Sequence, residues 1–125
     1  MKKENQYVTN PILKFVEKRP LCWGFKVHGS GYSKGGIPDV VGNVGPFALY
    51  LECKYLDGVA TPLQRRTLEK IRATGAVGGC VWSLEEAIEV IEGLEALVAE
   101  LPNHLTQRLL TFSPSIVRSP SQVKE

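Results

Sequence analysis

The chain has 125 residues, 43% hydrophobic and 22% charged, the balance of one globular domain with its own core. No apolar run reaches the ~20 residues of a membrane-crossing helix, and the opening Met-Lys-Lys-Glu-Asn-Gln lacks the apolar segment of a secretory signal. Three scattered cysteines (Cys22, Cys53, Cys80) and two distant histidines argue against a disulfide framework or a thiolate or imidazole zinc site, and fit a reducing compartment. The net charge of +2 is unevenly laid out, with +6 on residues 1–82 and −4 on residues 83–125.

Residues 1–9 are polar and are expected to be partly loose. Asn10-Pro11 reads as a helix N-cap with a first-turn proline. Ile12, Phe15 and Val16 then recur at helical spacing to about Lys18, and Pro20 stops the helix. Trp23 to His28 alternates in part and is the first predicted strand. Gly29 to Gly36 is too glycine-rich for an element and is a loop. A second strand is expected from about Asp39 to Asn43, a turn at Gly45-Pro46, and a third strand from Phe47 to Tyr55. On the third strand Leu49, Leu51, Cys53 and Tyr55 share one face, and Tyr50, Glu52 and Lys54 the other. Cys53 is therefore a small core residue rather than a reactive thiol.

Thr61-Pro62-Leu63-Gln64 has capping-box spacing with proline at the first helical position. Leu63, Leu68 and Ile71 supply the buried stripe of the helix that follows, Arg65, Arg66, Lys70 and Arg72 its exposed side, and Gly75 its end. Val77 to Trp82 is a fourth strand. Ser83-Leu84-Glu85-Glu86 repeats the capping-box pattern with acidic residues in the first turn. Leu84, Ile88, Ile91, Leu94, Leu97, Val98 and Leu101 then follow at helical spacing up to Pro102. Residues 1–112 form a single domain, and residues 113–125, rich in Ser and Pro, are expected to be a flexible tail.

The chemistry gathers at the middle of the chain. Asp39 opens one strand and Glu52 and Lys54 lie on its neighbour, so two carboxylates and an ammonium converge at the end of a small sheet. Carboxylate oxygens are hard ligands that suit Mg²⁺ or Mn²⁺. The positive charge lies in the same part of the chain, and a basic surface around an acidic pocket suits an enzyme acting on a polyanion. Each residue has a plainer alternative: Asp39 as an ordinary start-of-strand residue, Glu52 and Lys54 as a cross-strand surface pair, the basic residues as a solvated face.

Gly35-Gly36-Ile37-Pro38-Asp39, then Leu51-Glu52-Cys53-Lys54, then Pro62-x-Gln64, in this order and spacing, resemble the VRR-NUC domain family of the PD-(D/E)xK nucleases. The likeness covers roughly residues 10–92. It implies an α/β fold with a restriction-endonuclease-like αβββαβ core, a small mixed central sheet flanked by helices, and here a C-terminal helix in addition. It also implies Mg²⁺-dependent cleavage of DNA, with Mn²⁺ able to substitute. By resemblance, Asp39, Glu52 and the backbone carbonyl of Cys53 are the metal ligands, and Lys54 positions or helps deprotonate the attacking water. Gln64 lies near the site in such proteins, but here it is also the third residue of a capping box. Ser30 or Ser33 corresponds to a loop serine of related junction resolvases.

One departure concerns the first helix, where family members carry a Glu as a further ligand. Gln6 and Tyr7 occupy the matching segment. Glu4 serves if the helix begins before Asn10, Glu17 lies near the far end, and the number of metal ions is open. Lys26, His28, Lys34, Arg65 and Arg66 are the expected DNA contacts. The resemblance points to resolution of four-way (Holliday) junctions by a homodimer, in the cytoplasm of a bacterial or phage-infected cell and without a membrane partner. The alternatives are a flap, nick or restriction-type nuclease, or a DNA-binding module that has lost catalysis.

Overall fold

Helix formation begins well before the Asn10-Pro11 pair. In the computed structural model, which describes residues 3–27 and 35–116 with side chains as far as Thr111, the backbone is helical from Lys3. Asn5–Thr9 form a π-helical segment that passes directly into α1 (Asn10–Glu17). Residues 3–9 are thus ordered helix rather than a loose stretch, and Val8 and Thr9 are buried. Nor is Asn10 an N-cap, because its N–H bonds to the Asn5 carbonyl five residues back. The physical reason is Pro11. A proline inside a helix has no N–H to donate and its ring crowds the carbonyl four residues earlier. A π-turn just ahead of it widens the hydrogen-bonding register, so the helix passes through the proline instead of starting at it.

Four strands follow in spatial order: β1 (Cys22–Lys26), β2 (Val40–Val44), β3 (Phe47–Cys53) and β4 (Val77–Val81). The first two pairings are antiparallel and β3–β4 is parallel. The parallel pair needs a crossover, and α2 (Pro62–Ala73) supplies it. The result is a mixed α/β arrangement, a four-stranded mixed sheet flanked by helices. β1 stops at Lys26, two residues short of the expected end, and His28 lies outside the described residues. β3 stops at Cys53, where its ladders end and the chain moves towards a turn at Leu56.

The core sits between one face of the sheet and the helices. Val8, Ile12 and Val16 meet Val40, Val44, Leu49, Leu51, Cys53 and Val81, and α3 (Leu84–Glu100) closes over them with Ala87, Ile91 and Leu94. Ala87 takes a core position that a reading for large side chains passes over, and Leu97 is left exposed. The buried stripe of α2 is narrower than expected as well. Leu68 is buried but Leu63 is 44% exposed; it lies beside the Gly35–Gly36 turn, where a Cβ on Gly36 would stand 2.8 Å from Leu63 Cγ. Arg19 ties α1 to α3 through a forked pair of bonds to Glu95, at 3.0 and 2.6 Å. After Pro102 a further helix, α4 (Asn103–Ile116), carries helical backbone through residues 113–116, where a tail was expected. Residues 117–125 lie outside the described residues. No helix among the described residues is long and apolar enough to cross a membrane.

One close backbone approach sets the first end of the sheet. Gly42 pairs with Gly24, and a Cβ on Gly42 would stand 2.1 Å from the Trp23 carbonyl oxygen. Gly42→Ala is expected to destabilise the fold by about 3 kcal/mol, read as a lower urea midpoint at unchanged m-value. An unchanged midpoint would mean that β1 and β2 part freely at this pair.

Candidate active site

Asp39 directly precedes β2 and is held from two sides. The Val27 N–H donates to its carbonyl at 2.8 Å, and the Cys53 N–H donates to its side-chain Oδ2 at 2.8 Å. Val40 pairs with Leu51, so the Asp39 carboxylate accepts from β3 just where the ladder with β2 ends. One carboxylate oxygen is engaged in this way, and the carboxylate also lies within side-chain hydrogen-bonding reach of Glu52.

Glu52 lies on that strand between two buried residues, Leu51 and Cys53, and is itself 2% exposed. The surface-pair alternative for Glu52 and Lys54 is thereby excluded. Lys54 Nζ is 3.5 Å from Glu52 Oε2. The second oxygen, Glu52 Oε1, is buried and has no hydrogen-bond partner among the described residues. An unsatisfied carboxylate oxygen in the interior is costly, and burial of this kind favours the protonated form. Burial pushes the Glu52 carboxyl up to about 8, the neighbouring Asp39 carboxylate acts in the same direction, and Lys54 opposes both.

The segment after Lys54 is fastened down over it. The Lys54 N–H donates to the Val81 carbonyl at 2.9 Å and the Gly58 N–H to the Tyr55 carbonyl at 3.0 Å. The Trp82 indole N–H donates to the Gly58 carbonyl at 2.8 Å. Leu56 sits in this turn at φ 54°, a left-handed conformation that side chains rarely adopt. Gly58 is packed against the lysine stem, its Cβ position lying 3.6 Å from Lys54 Cβ and Cδ. The ammonium is therefore held beside Glu52 and does not swing freely on the surface.

Two thiols border the pair. Cys80 lies opposite Glu52 in the parallel ladder. Burial pushes the Cys53 thiol up to about 12 and the Cys80 thiol up to about 11, and the Asp39, Glu52 and Glu4 carboxylates push both the same way. Cys53 is a core thiol, as its place in the strand alternation suggests. The early start of the first helix brings the Asn5–Thr9 segment against β3, but Glu4, just ahead of it, does not close with Asp39 and Glu52 into one cluster of side chains among the described residues.

The other sequence candidates separate. Gln64 completes the capping box of α2: its Oε1 accepts from the Thr61 N–H at 2.8 Å while its own N–H donates to Thr61 Oγ1 at 3.1 Å. The oxygen is committed to the helix start, and only the amide NH₂ remains to serve a site. At Ser83 the box is offset by one residue, with Glu86 accepting from the Trp82 N–H at 2.7 Å. Lys26 lies across from Val40 and lines a cavity with Leu13, Val16 and Glu17 on the α1 side of the sheet. Arg65 and Arg66 are exposed on α2. His28, Ser30, Ser33 and Lys34 lie outside the described residues. Sequence reasoning gave no site role to Gly58, Trp82 or the stacked pair Tyr7–Tyr55. Only the last had a usable signal, a tyrosine one helical turn after Glu4, and that turn is invisible while residues 1–9 are read as loose.

Asp39, Glu52 and the backbone at Cys53 offer hard oxygen donors. Among the described residues no three His, Cys, Asp or Glu side chains close around one point. A set of two carboxylates and a carbonyl suits Mg²⁺, which keeps several of its waters. No protein-family model matches the chain, and no curated protein matches it in sequence. What the site can do follows from its donors and their geometry.

Proposed function

We propose that this protein is a Mg²⁺-dependent, structure-selective DNA endonuclease with a restriction-endonuclease-like core. In this reading it is of the VRR-NUC type and resolves four-way junctions as a homodimer. One observation carries it: a buried carboxylate, Glu52, with an orphaned oxygen and a raised proton affinity, held between Asp39 and Lys54 at the end of β3. A carboxylate serving only the fold would be satisfied by donors. This one is set to exchange its proton for a cation.

Asp39, Glu52 and the Cys53 carbonyl would hold Mg²⁺, with Mn²⁺ able to replace it. When bound, the metal supplies Lewis-acid stabilisation of charge on the scissile phosphate. Lys54 orients the attacking water and offsets the charge that develops. Asp39 is kept in place by the Cys53 N–H, Lys54 by the turn that Trp82 and Gly58 fasten. Exposed Arg65 and Arg66 give α2 a basic face for the phosphate backbone. Lys26, on the α1 side, is the less favoured contact. Two symmetric cuts across a junction require two sites related by a two-fold axis, which favours the dimer.

The experiment is Mg²⁺-dependent cleavage of a four-way junction beside linear duplex of the same sequence, across protein concentrations. Junction cleavage is expected to be faster by about tenfold or more, with a rate that falls steeply below the dimerisation range. Equal cleavage of both substrates removes junction selectivity and leaves a nuclease. No cleavage of any branched or linear DNA with Mg²⁺ or Mn²⁺ removes the enzyme.

A further inference from the structure

Tyr7 and Tyr55 stack at the rim of this centre, ring centroids 5.2 Å apart and planes inclined by 16°. They come from separate elements. Tyr55 is the residue after Lys54, and Tyr7 stands in the π-helical segment Asn5–Thr9, which packs against β3. Tyr7 is 51% exposed although Tyr55 covers one of its faces. Its other face is therefore offered to solvent. The turn behind Tyr55 is fixed rather than free: Leu56 holds its left-handed conformation and the Gly58 N–H bonds back to the Tyr55 carbonyl. Tyr7 thus leaves a ring face uncovered beside a turn that holds a leucine at positive φ, a conformation that costs free energy to keep.

We propose that the Tyr7–Tyr55 pair is a nucleobase platform, on whose open face an unstacked base next to the scissile phosphate settles. This rests on the nuclease reading, which places the phosphate at Lys54. Every base has a π-face, so stacking on an aromatic ring selects no sequence. It does select a conformation. A base inside continuous duplex is already stacked on its neighbours, whereas a base at a branch point is unstacked or easily becomes so. The platform thus gives the enzyme branched DNA as its substrate class without any reading of base edges. Tyr55 backs Tyr7 so that the receiving ring is already in place and little freedom is lost when a base arrives.

The test uses a flapped duplex and a four-way junction, each with 2-aminopurine at the branch point, bound by the full chain without divalent metal. Wild type is expected to quench the fluorophore. Tyr7→Leu is expected to lose the quench and to bind roughly tenfold more weakly, while Tyr7→Phe retains both. A second arm needs no protein variant: an abasic residue at the branch point weakens wild-type binding to the level of Tyr7→Leu. The proposal is overturned if wild type binds the abasic and intact branches equally. It also falls if Tyr7→Leu binds and quenches as wild type does, or if Tyr7→Leu loses as much affinity for continuous duplex as for branched DNA. Should wild type cut no DNA with Mg²⁺ or Mn²⁺ while a Tyr7-dependent quench persists, the nuclease reading falls and the platform stands.

Discussion

Asp39→Asn, Glu52→Gln and Lys54→Met are each expected to slow Mg²⁺-dependent DNA cleavage by about 10³-fold or more, with little change in DNA affinity. Single-turnover cleavage beside fluorescence anisotropy measures both quantities. The substitutions are chosen to spare the fold. Asparagine keeps an oxygen for the Cys53 N–H that Asp39 accepts at 2.8 Å, whereas alanine would add a loss of about 1–2 kcal/mol in stability by orphaning that donor. Methionine keeps the aliphatic stem that packs beneath Gly58 while removing the ammonium. Glutamine keeps the shape of Glu52 and removes only its ability to become an anion. Wild-type cleavage by Asp39→Asn would reduce Asp39 to a residue that closes the β3 ladder, and the metal site would go with it. Loss in Asp39→Asn and Glu52→Gln with full activity in Lys54→Met would keep the site and release the ammonium from the chemistry.

Much of this arrangement is legible in the sequence because its signals are local. The alternation of Leu49, Leu51 and Cys53 against Tyr50, Glu52 and Lys54 is a period-two pattern, and it sets the faces of β3 with no knowledge of its partners. Thr61-Pro62-x-Gln64 and Ser83-x-x-Glu86 mark the helix starts within four residues each. What escapes a linear reading is set by contacts distant in sequence. Pro11 looks like a helix start because a π-turn leaves no compositional mark. Leu63 looks like a core residue because it shares helical spacing with Leu68 and Ile71, yet its surroundings, the Gly35–Gly36 turn among them, come from another part of the chain. The burial of Glu52 follows from strands on both sides and α2 above, so its alternation alone is equally compatible with a surface pair. The conflict over Gln64 was visible in advance, since one amide oxygen cannot serve both a capping box and a distant site, and the local bond wins.

These misses share a consequence for the site. Helix at residues 3–9 gives α1 an extension that carries Glu4, Tyr7, Val8 and Thr9 as one ordered unit, with Val8 and Thr9 buried. The buried residues anchor the extension against the sheet, and the anchored extension is what holds Tyr7 against Tyr55. Core packing and site geometry at this corner are therefore the same set of contacts.

Raising the pH from about 5 to about 9 is expected to remove on the order of 3 kcal/mol of stability from the metal-free protein through Glu52 alone. The carboxyl is pushed up to about 8 in the folded chain, chiefly by burial, from an ordinary value of 4.5. Between those values the native protein holds a proton that the unfolded chain has released. The stabilisation is complete below about 4.5 and is lost as the pH passes through about 8. Glu52→Gln stays neutral throughout, so urea midpoints of wild type and variant should converge near the acid end and diverge with rising pH, the variant becoming the more stable. In the proposed site Mg²⁺ would compete with the proton for the same oxygen. Its stabilising effect on wild type should grow from pH 6 to pH 8.5 and be absent in Glu52→Gln. Parallel pH profiles for the two proteins, with and without Mg²⁺, would mean that Glu52 is already ionised and satisfied in the folded state. A satisfied carboxylate there has no reason to take a cation, and the case for a metal centre at the end of β3 would lose its foundation.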